Sequence, residues 1–209
     1  MKTFKILMLL SFIITFNSCS DDDGPQIQEV ESRTVTNLFA PQTGGQGDPV
    51  SGEFTKFDFE SGAITTNASA WDIAFRGTTI IVNGGESLGT TDEPDRTGEA
   101  AAYIATATFS SVTTLNPSQF NQDSASGYAI PSGSGNGWYT YNFMANTIDP
   151  IPGRVLVFRT RDGKYAKVEI LSYYKDAPEE ITPEIAADDL RYYTFNFVYQ
   201  PNEGETSFE

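Results

Sequence analysis

The sequence contains no histidine and a single cysteine, and these scarcities exclude more chemistry than any motif in it supplies. Without imidazole there is no Ser-His-Asp or Cys-His machinery and no histidine ligand for zinc or haem iron. With Cys19 alone the chain can form no internal disulfide, so the fold must rest on its core. Positive charge is also scarce, 13 Lys and Arg against 28 Asp and Glu, for a formal net charge of −15. Such a surface repels phosphate backbones and anionic headgroups, which argues against nucleic-acid binding and electrostatic membrane binding. Residues Gly133 to Gly137 are glycine-rich but lack the Lys and Ser/Thr of a phosphate-binding loop. What remains for catalysis is a carboxylate pair, from Asp92, Glu93 and Asp95 or from Asp188 and Asp189. Adjacent acids in a loop or at a helix end are usually solvated, and the expectation is that the protein is not an enzyme. Residues 92–95 also lack the ligand spacing of a calcium loop.

The N-terminus carries an address. Lys2 and Lys5 precede an apolar run from Ile6 to Phe16, and Asn17-Ser18 leads into Cys19. This is the layout of a cleaved secretory signal, and the run is too short to span a bilayer. A cysteine at the cleavage point marks a lipoprotein. Residues 1–18 are therefore read as signal peptide, with Cys19 as the lipidated N-terminus of the mature chain. Each buried acyl CH₂ adds roughly 0.8 kcal/mol of membrane affinity, so several chains on one residue make a firm anchor. Loss of Lys2 and Lys5 with the signal leaves 11 basic residues against 28 acidic, a net charge of −17.

Residues 19–34 read as a lipidated Cys and acidic tether, and 35–209 as a single β domain. From Val35 onward aromatics, Val, Ile and Thr dominate, punctuated by Gly, Asn and Asp at intervals of about eight to twelve residues. That rhythm predicts an all-β fold, a predominantly antiparallel sheet with long loops and one or two short helices. The clearest hairpin joins Val155–Arg161 to Lys164–Tyr173 across Asp162-Gly163, a dipeptide suited to a type I′ turn. That turn would set Val157 opposite Val168 and Val155 opposite Ile170 on one apolar face. A second hairpin turns at Glu60-Ser61-Gly62. Alternation marks Trp71 to Arg76 as a strand, with Trp71, Ile73 and Phe75 on its apolar side. Further strands are expected at Thr79–Val82, Ala101–Phe109, Trp138–Phe143 and Tyr192–Tyr199. Asn116 before Pro117, and Thr182 before Pro183, are capping signals for two short helices. Two Gly/Ser-rich loops, 84–98 and 124–137, are expected to be mobile.

Three stretches together resemble the HmuY family of Bacteroidetes haem-binding surface lipoproteins. They are Trp71-Asp72-Ile73-Ala74-Phe75-Arg76 with Val82-Asn83-Gly84-Gly85, then Arg159 to Lys167 leading to Ser172-Tyr173-Tyr174, and finally Tyr193 to Phe197. Ser20-Asp21-Asp22-Asp23 likewise resembles the acidic tag that sends such lipoproteins to the outer face of the outer membrane. The resemblance implies a hemophore-like protein for iron acquisition. It would take haem from host haemoproteins and deliver it to a TonB-dependent receptor. It also implies two axial iron ligands, His/His or Met/Met, and here the pattern breaks. Met144 is the only methionine left after signal cleavage, and it lies about where the second ligand is expected. A lone methionine fills a core gap more often than it ligates, so packing is the favoured reading for Met144. For the first ligand Tyr128 offers the only suitable atom between Val112 and Tyr128, as tyrosinate. Haem ligation is thus expected to be weakened or lost. The alternative is a non-haem binding or adhesion module on the same fold, taking peptide, glycan or a transporter partner. Asp123-Ser124-Ala125 also matches a short O-glycosylation acceptor pattern of exported Bacteroidetes proteins.

Overall fold

The structure is a computed structural model that describes residues 27–45 and 47–209. Cys19, the signal segment and the acidic tag lie outside the described residues. The strands are β1 (Glu31–Phe39), β2 (Thr43–Gly45), β3 (Asp48–Ser51), β4 (Thr55–Asp58), β5 (Ala63–Thr65), β6 (Ile73–Arg76) and β7 (Thr79–Val82). They continue as β8 (Ala101–Thr106), β9 (Tyr139–Asn142), β10 (Thr147–Pro150), β11 (Arg154–Arg159), β12 (Tyr165–Tyr174) and β13 (Leu190–Gln200). One short helix, α1 (Pro183–Asp188), precedes β13. The named strand pairs are antiparallel, as the alternation and turn spacing predict. Among the described residues no helix is long and apolar enough to cross a membrane.

A five-stranded sheet, ordered β1-β13-β12-β11-β8, packs against a four-stranded sheet ordered β5-β4-β6-β7. Their inner faces are held together largely by aromatic rings. Phe57 meets Phe195 and Phe197 edge-on, with ring centroids 5.5 and 5.7 Å apart. Phe59 lies against Phe158 and Phe197, and Phe75 against Tyr193 and Phe195. Full burial of such a side chain contributes roughly 1.5–3 kcal/mol, so this layer supplies what disulfides cannot.

The β11–β12 hairpin differs from its expected register. Leu156 pairs with Val168, Val157 with Lys167 and Phe158 with Ala166. The cause is a three-residue loop in place of a two-residue turn. Gly163 N–H donates to Thr160 O at 3.2 Å, Thr160 N–H donates to Lys164 O at 2.8 Å, and Gly163 takes φ +88°. That is a type I turn closed by a glycine bulge, and Thr160 Oγ1 holds it by accepting from Lys164 N–H at 2.9 Å. A one-residue slip exchanges the faces of a strand. Leu156, Phe158, Ala166 and Val168 therefore face the main core, while Val155 and Val157 face a second layer with Val112, Leu115, Val198 and Phe208. Lys167 is buried in that layer, its Nζ donating to Phe109 O and Val112 O at 2.9 and 2.7 Å. Burial without a bonded carboxylate lowers its pKa.

The other expected elements form with small changes of extent. β4 and β5 pair across residues 59–62. Asn116 caps a 3₁₀ turn at Pro117–Gln119, and Thr182 Oγ1 caps α1 by accepting from Ile185 N–H at 3.3 Å. The sheet begins earlier than the composition implies, since Glu31 pairs with Tyr199 in a segment read as tether. β6 is buried on both faces. Ile73 and Phe75 join the main core, whereas Trp71 turns the other way and packs with Ala74, Ile81 and Phe54.

Candidate functional site

The two ends of the long β12–β13 pair differ in what they hold. At one end lie Tyr165, Gln200, the 160–164 turn and Glu31, where the chain enters the sheet. At the other end lie Tyr174 and Leu190. The ten residues of β12 separate them by about 33 Å at the usual rise per residue.

At and around the first end, residues of the resembling segments bond to one another and to neighbouring loops. Asp72 Oδ2 accepts from Phe59 N–H at 2.8 Å, and Asp72 Oδ1 accepts from Arg161 N–H at 2.9 Å and Arg161 Nη1 at 3.2 Å. Arg161 Nη1 also donates to Asp58 Oδ1 at 2.5 Å. Burial pushes the Asp72 carboxyl up to about 6, against these donors. Asn83, fully buried, donates to Trp71 O and accepts from Thr97 N–H and Gly98 N–H. Asp123 Oδ2 accepts from Val82 N–H at 3.0 Å and from Arg96 at 2.9 Å, and Arg96 also pairs with Glu93 at 2.5 Å. Arg76 reaches Thr90 and the carbonyls of Gly52 and Thr91, with its guanidinium 4.2 Å from the Phe54 ring centroid.

These bonds correct two expectations. Residues 84–98 are pinned to the domain by buried charge, so this loop is not a free one. Of the acids weighed for catalysis, Glu93 has a side chain 1% exposed and is committed to Arg96 and to Thr90 and Leu88 N–H groups. Asp92 accepts from Gly52 N–H at 2.9 Å. Asp123, first of the glycosylation pattern, is a buried internal acceptor, and Ser124 Oγ lies 3.1 Å from Gly127 O. Among the described residues no group of three His, Cys, Asp or Glu is placed to hold a metal ion.

The second end contains a cleft of about 400 Å³, within the range of small-molecule sites. Tyr141 and Asn146 from the β9–β10 hairpin form one wall, Tyr173 and Tyr174 another, and Ala186, Leu190 and Arg191 a third. The hairpin is anchored at its base, where Trp138 Nε1 donates to Thr78 O at 3.0 Å and Ile148 N–H donates to the Tyr174 hydroxyl at 2.7 Å. Its turn is shaped by Asn142, whose side-chain oxygen accepts from Met144 N–H and Ala145 N–H, and by Asn146 at φ +56°. The Tyr141 hydroxyl donates to Asn146 Oδ1 at 2.8 Å. Beyond Tyr174 a second hollow of about 310 Å³ runs on between Ile148, Leu171 and Pro178. Burial pushes the phenols of Tyr173 and Tyr174 up, so both remain protonated and neutral.

Met144 stands at the tip of this hairpin, 81% exposed, beside Phe143 at 76%. Its expected role as core filler is therefore wrong, because nothing packs around it. Tyr128 is elsewhere. It rests on the Trp71 cluster, with its hydroxyl 3.4 Å from Thr90 Oγ1, and burial raises its pKa, which disfavours tyrosinate. Neither Met144 nor Tyr128 lines the cleft or the hollow. The sequence reading missed Arg191, although it is the one basic residue among the last 34, which carry nine acids.

Two packed antiparallel sheets, with a tyrosine-lined cleft at one end of the long strands, make this domain a β-sandwich. The chain belongs to the HmuY family, whose model, described as HmuY protein, matches residues 51–186. That is a family of lipoproteins associated with haem binding. The match takes in both of the first two resembling segments and the β9–β10 hairpin, and ends within α1. Among solved structures, the apo HmuY analog of Tannerella forsythia is 15% identical, with 84% of this chain and 99% of that chain covered at a TM-score of 0.49. A Bacteroides fragilis protein described as a lipoprotein is 14% identical over 83% of this chain and 91% of that chain, at a TM-score of 0.46. No curated protein matches the chain.

Proposed function

We propose that this protein is a surface-held, non-catalytic capture protein whose tyrosine-walled cleft takes a planar tetrapyrrole, haem included, for delivery to a TonB-dependent outer-membrane receptor. The observation that carries the reading is the cleft's position. It lies at the end of the sheet about 33 Å from where the chain enters at Glu31, so an anchor at Cys19 would leave it facing outward. Residues 19–26 add a spacer of eight residues, and their acidic run would be repelled by an anionic surface.

Among the described residues Met144 is the one thioether, on a turn whose flanking Tyr141 and Asn146 line the cleft. A single thioether from a solvent-exposed tip is a weak iron ligand, and Tyr128 supplies no second one from its place beside Trp71. The reading is therefore of weak haem binding with at most one protein ligand on the iron. Titration of the purified mature protein with hemin tests it. A saturable change in the Soret band near stoichiometric hemin is expected, with Met144→Ala shifting the band. The absence of any saturable change sinks the haem reading.

A second reading is favoured by the tip itself. Phe143 and Met144 project as an exposed apolar pair, a shape suited to contact with a protein partner such as a transporter. In that case the fold would serve as an adhesion or accessory module, and hemin would leave its spectra unchanged.

A further inference from the structure

The cleft inverts the charge of the molecule that contains it. The chain carries −15 overall, yet the residues lining this cleft include no carboxylate and one guanidinium, that of Arg191. Arg191, second residue of β13, takes φ +74°, a left-handed conformation uncommon for a residue with a side chain. The strand alternation is broken there, and the guanidinium lies at the cleft, where Nη1 donates to Gln42 O at 2.5 Å. Among the described residues it forms no ion pair, although Asp188 and Asp189 precede it closely in sequence. The guanidinium also bonds the Tyr173 phenol, and the donors of its five-donor fork that neither Gln42 O nor Tyr173 takes are open to an anion. Beside it Tyr173 and Tyr174 are buried at the cleft floor, and Tyr141, 46% exposed, is the aromatic side chain of the lining left open to a flat conjugated ring.

We infer that the cleft selects its ligand by a carboxylate on Arg191 and a planar conjugated ring against Tyr141, and not by a metal. The inference rests on the tetrapyrrole reading above and sharpens it. Guanidinium binds carboxylate through paired, charge-assisted hydrogen bonds, and such a bond is worth more in a half-buried cleft than in water. An exposed thioether adds little to that. Arg191 is therefore the specificity-determining residue, and the iron is a passenger.

The test compares three probes on the full mature protein by fluorescence quenching: metal-free protoporphyrin, hemin, and the dimethyl ester of the metal-free porphyrin. The free acid and hemin are expected to bind within about threefold of each other, and the ester about tenfold or more weaker, since a charge-assisted bond is lost. Arg191→Gln should weaken the free acid about tenfold and leave the ester unchanged. The ester arm uses the unaltered chain, so the inference stands or falls even if the variant folds poorly. Hemin binding with no metal-free binding overturns this inference and leaves the haem reading intact. Equal affinity of acid and ester also overturns it. Binding of none of the three overturns both.

Discussion

Around Asp72, Asn83 and Asp123 the polar side chains bond inside the domain, with two acids gathered on each of Arg96 and Arg161. Around Tyr141 and Arg191 the side chains leave bonding capacity over, and the exposed surface is apolar at Phe143 and Met144. Of the sequence segments by which the family is recognised, Trp71 to Gly85 and Arg159 to Arg161 supply much of the first group, whereas Tyr173 and Tyr174 line the cleft. Trp71, Asp72, Arg76, Asn83 and Arg161 staple two sheets, a turn and the 84–98 loop into one body. A family signature can thus record how a fold is closed and say little of what it binds. The cleft end, free of that constraint, can change its side chains without disturbing the fold.

If this contrast is right, substitutions at the stapled end should cost stability and those at the cleft should cost affinity. The largest effect is expected from Arg96→Ala. It leaves Glu93 and Asp123 buried without their shared cation, and breaking a buried pair from one side costs about 3–5 kcal/mol. The urea midpoint should fall accordingly, and a change under about 1 kcal/mol would remove the loop's claim to be pinned by charge.

Asp72 gives the next effect, and its sign is set by burial. Its pKa is about 6 in the folded protein against 3.8 when solvated, so between these values the native state holds a proton that the unfolded chain has lost. Stability therefore falls as pH rises from 3.8 to 6, by about 1.4 kcal/mol for each unit of difference, or about 3 kcal/mol in all. The charges facing Asp72 are Asp58 and Arg161. Asp58 has its pKa lowered, with Ser61 and Arg161 as its donors, and contributes the opposite trend at lower pH. Wild type should thus gain on Asp72→Asn as pH drops from 6 to 4, measured by paired denaturant titrations. Parallel curves would show that Asp72 titrates as a solvated acid.

Much of the fold was legible because it follows from local chemistry. The Asn116 and Thr182 caps, the 60–62 turn and the alternation of β13 each act over a few residues. The register of β11 and β12 was not, since Asp162-Gly163 fits both a two-residue and a three-residue loop. The choice is made by contacts distant in sequence, Asp72 on Arg161 N–H above all. Likewise Glu93 and Asp123 look solvated in sequence, because Arg96 is brought between them only by the fold. For the site, Met144 was found by counting sulfur atoms, and its exposure was unreadable because a turn at Asn142 decides it. Arg191 needed a map of charge in space. Its isolation among acids was in plain view, but the cleft that gives isolation a meaning is assembled from β9, β10, β12, α1 and β13.

The smallest stability effect should come from the hairpin tip, where it is most informative. Phe143 and Met144 are largely exposed, so replacing both by Ser should change stability by no more than about 0.5 kcal/mol. Tyr141→Ala should also be mild for folding, because Tyr141 is half-exposed and its hydroxyl bonds only to Asn146 on the same hairpin. For binding the three residues should separate. Loss of the Tyr141 ring removes a stacking wall and should weaken a bound porphyrin about tenfold, as one aromatic contact of 0.5–1.5 kcal/mol plus its buried area implies. Loss of the tip should change affinity by less than threefold while moving the hemin band. Should the Phe143/Met144 double variant instead unfold the protein, the tip is packed and the contrast between the two ends fails. Should it abolish porphyrin binding while Tyr141→Ala does not, the ligand sits on the tip and not in the cleft.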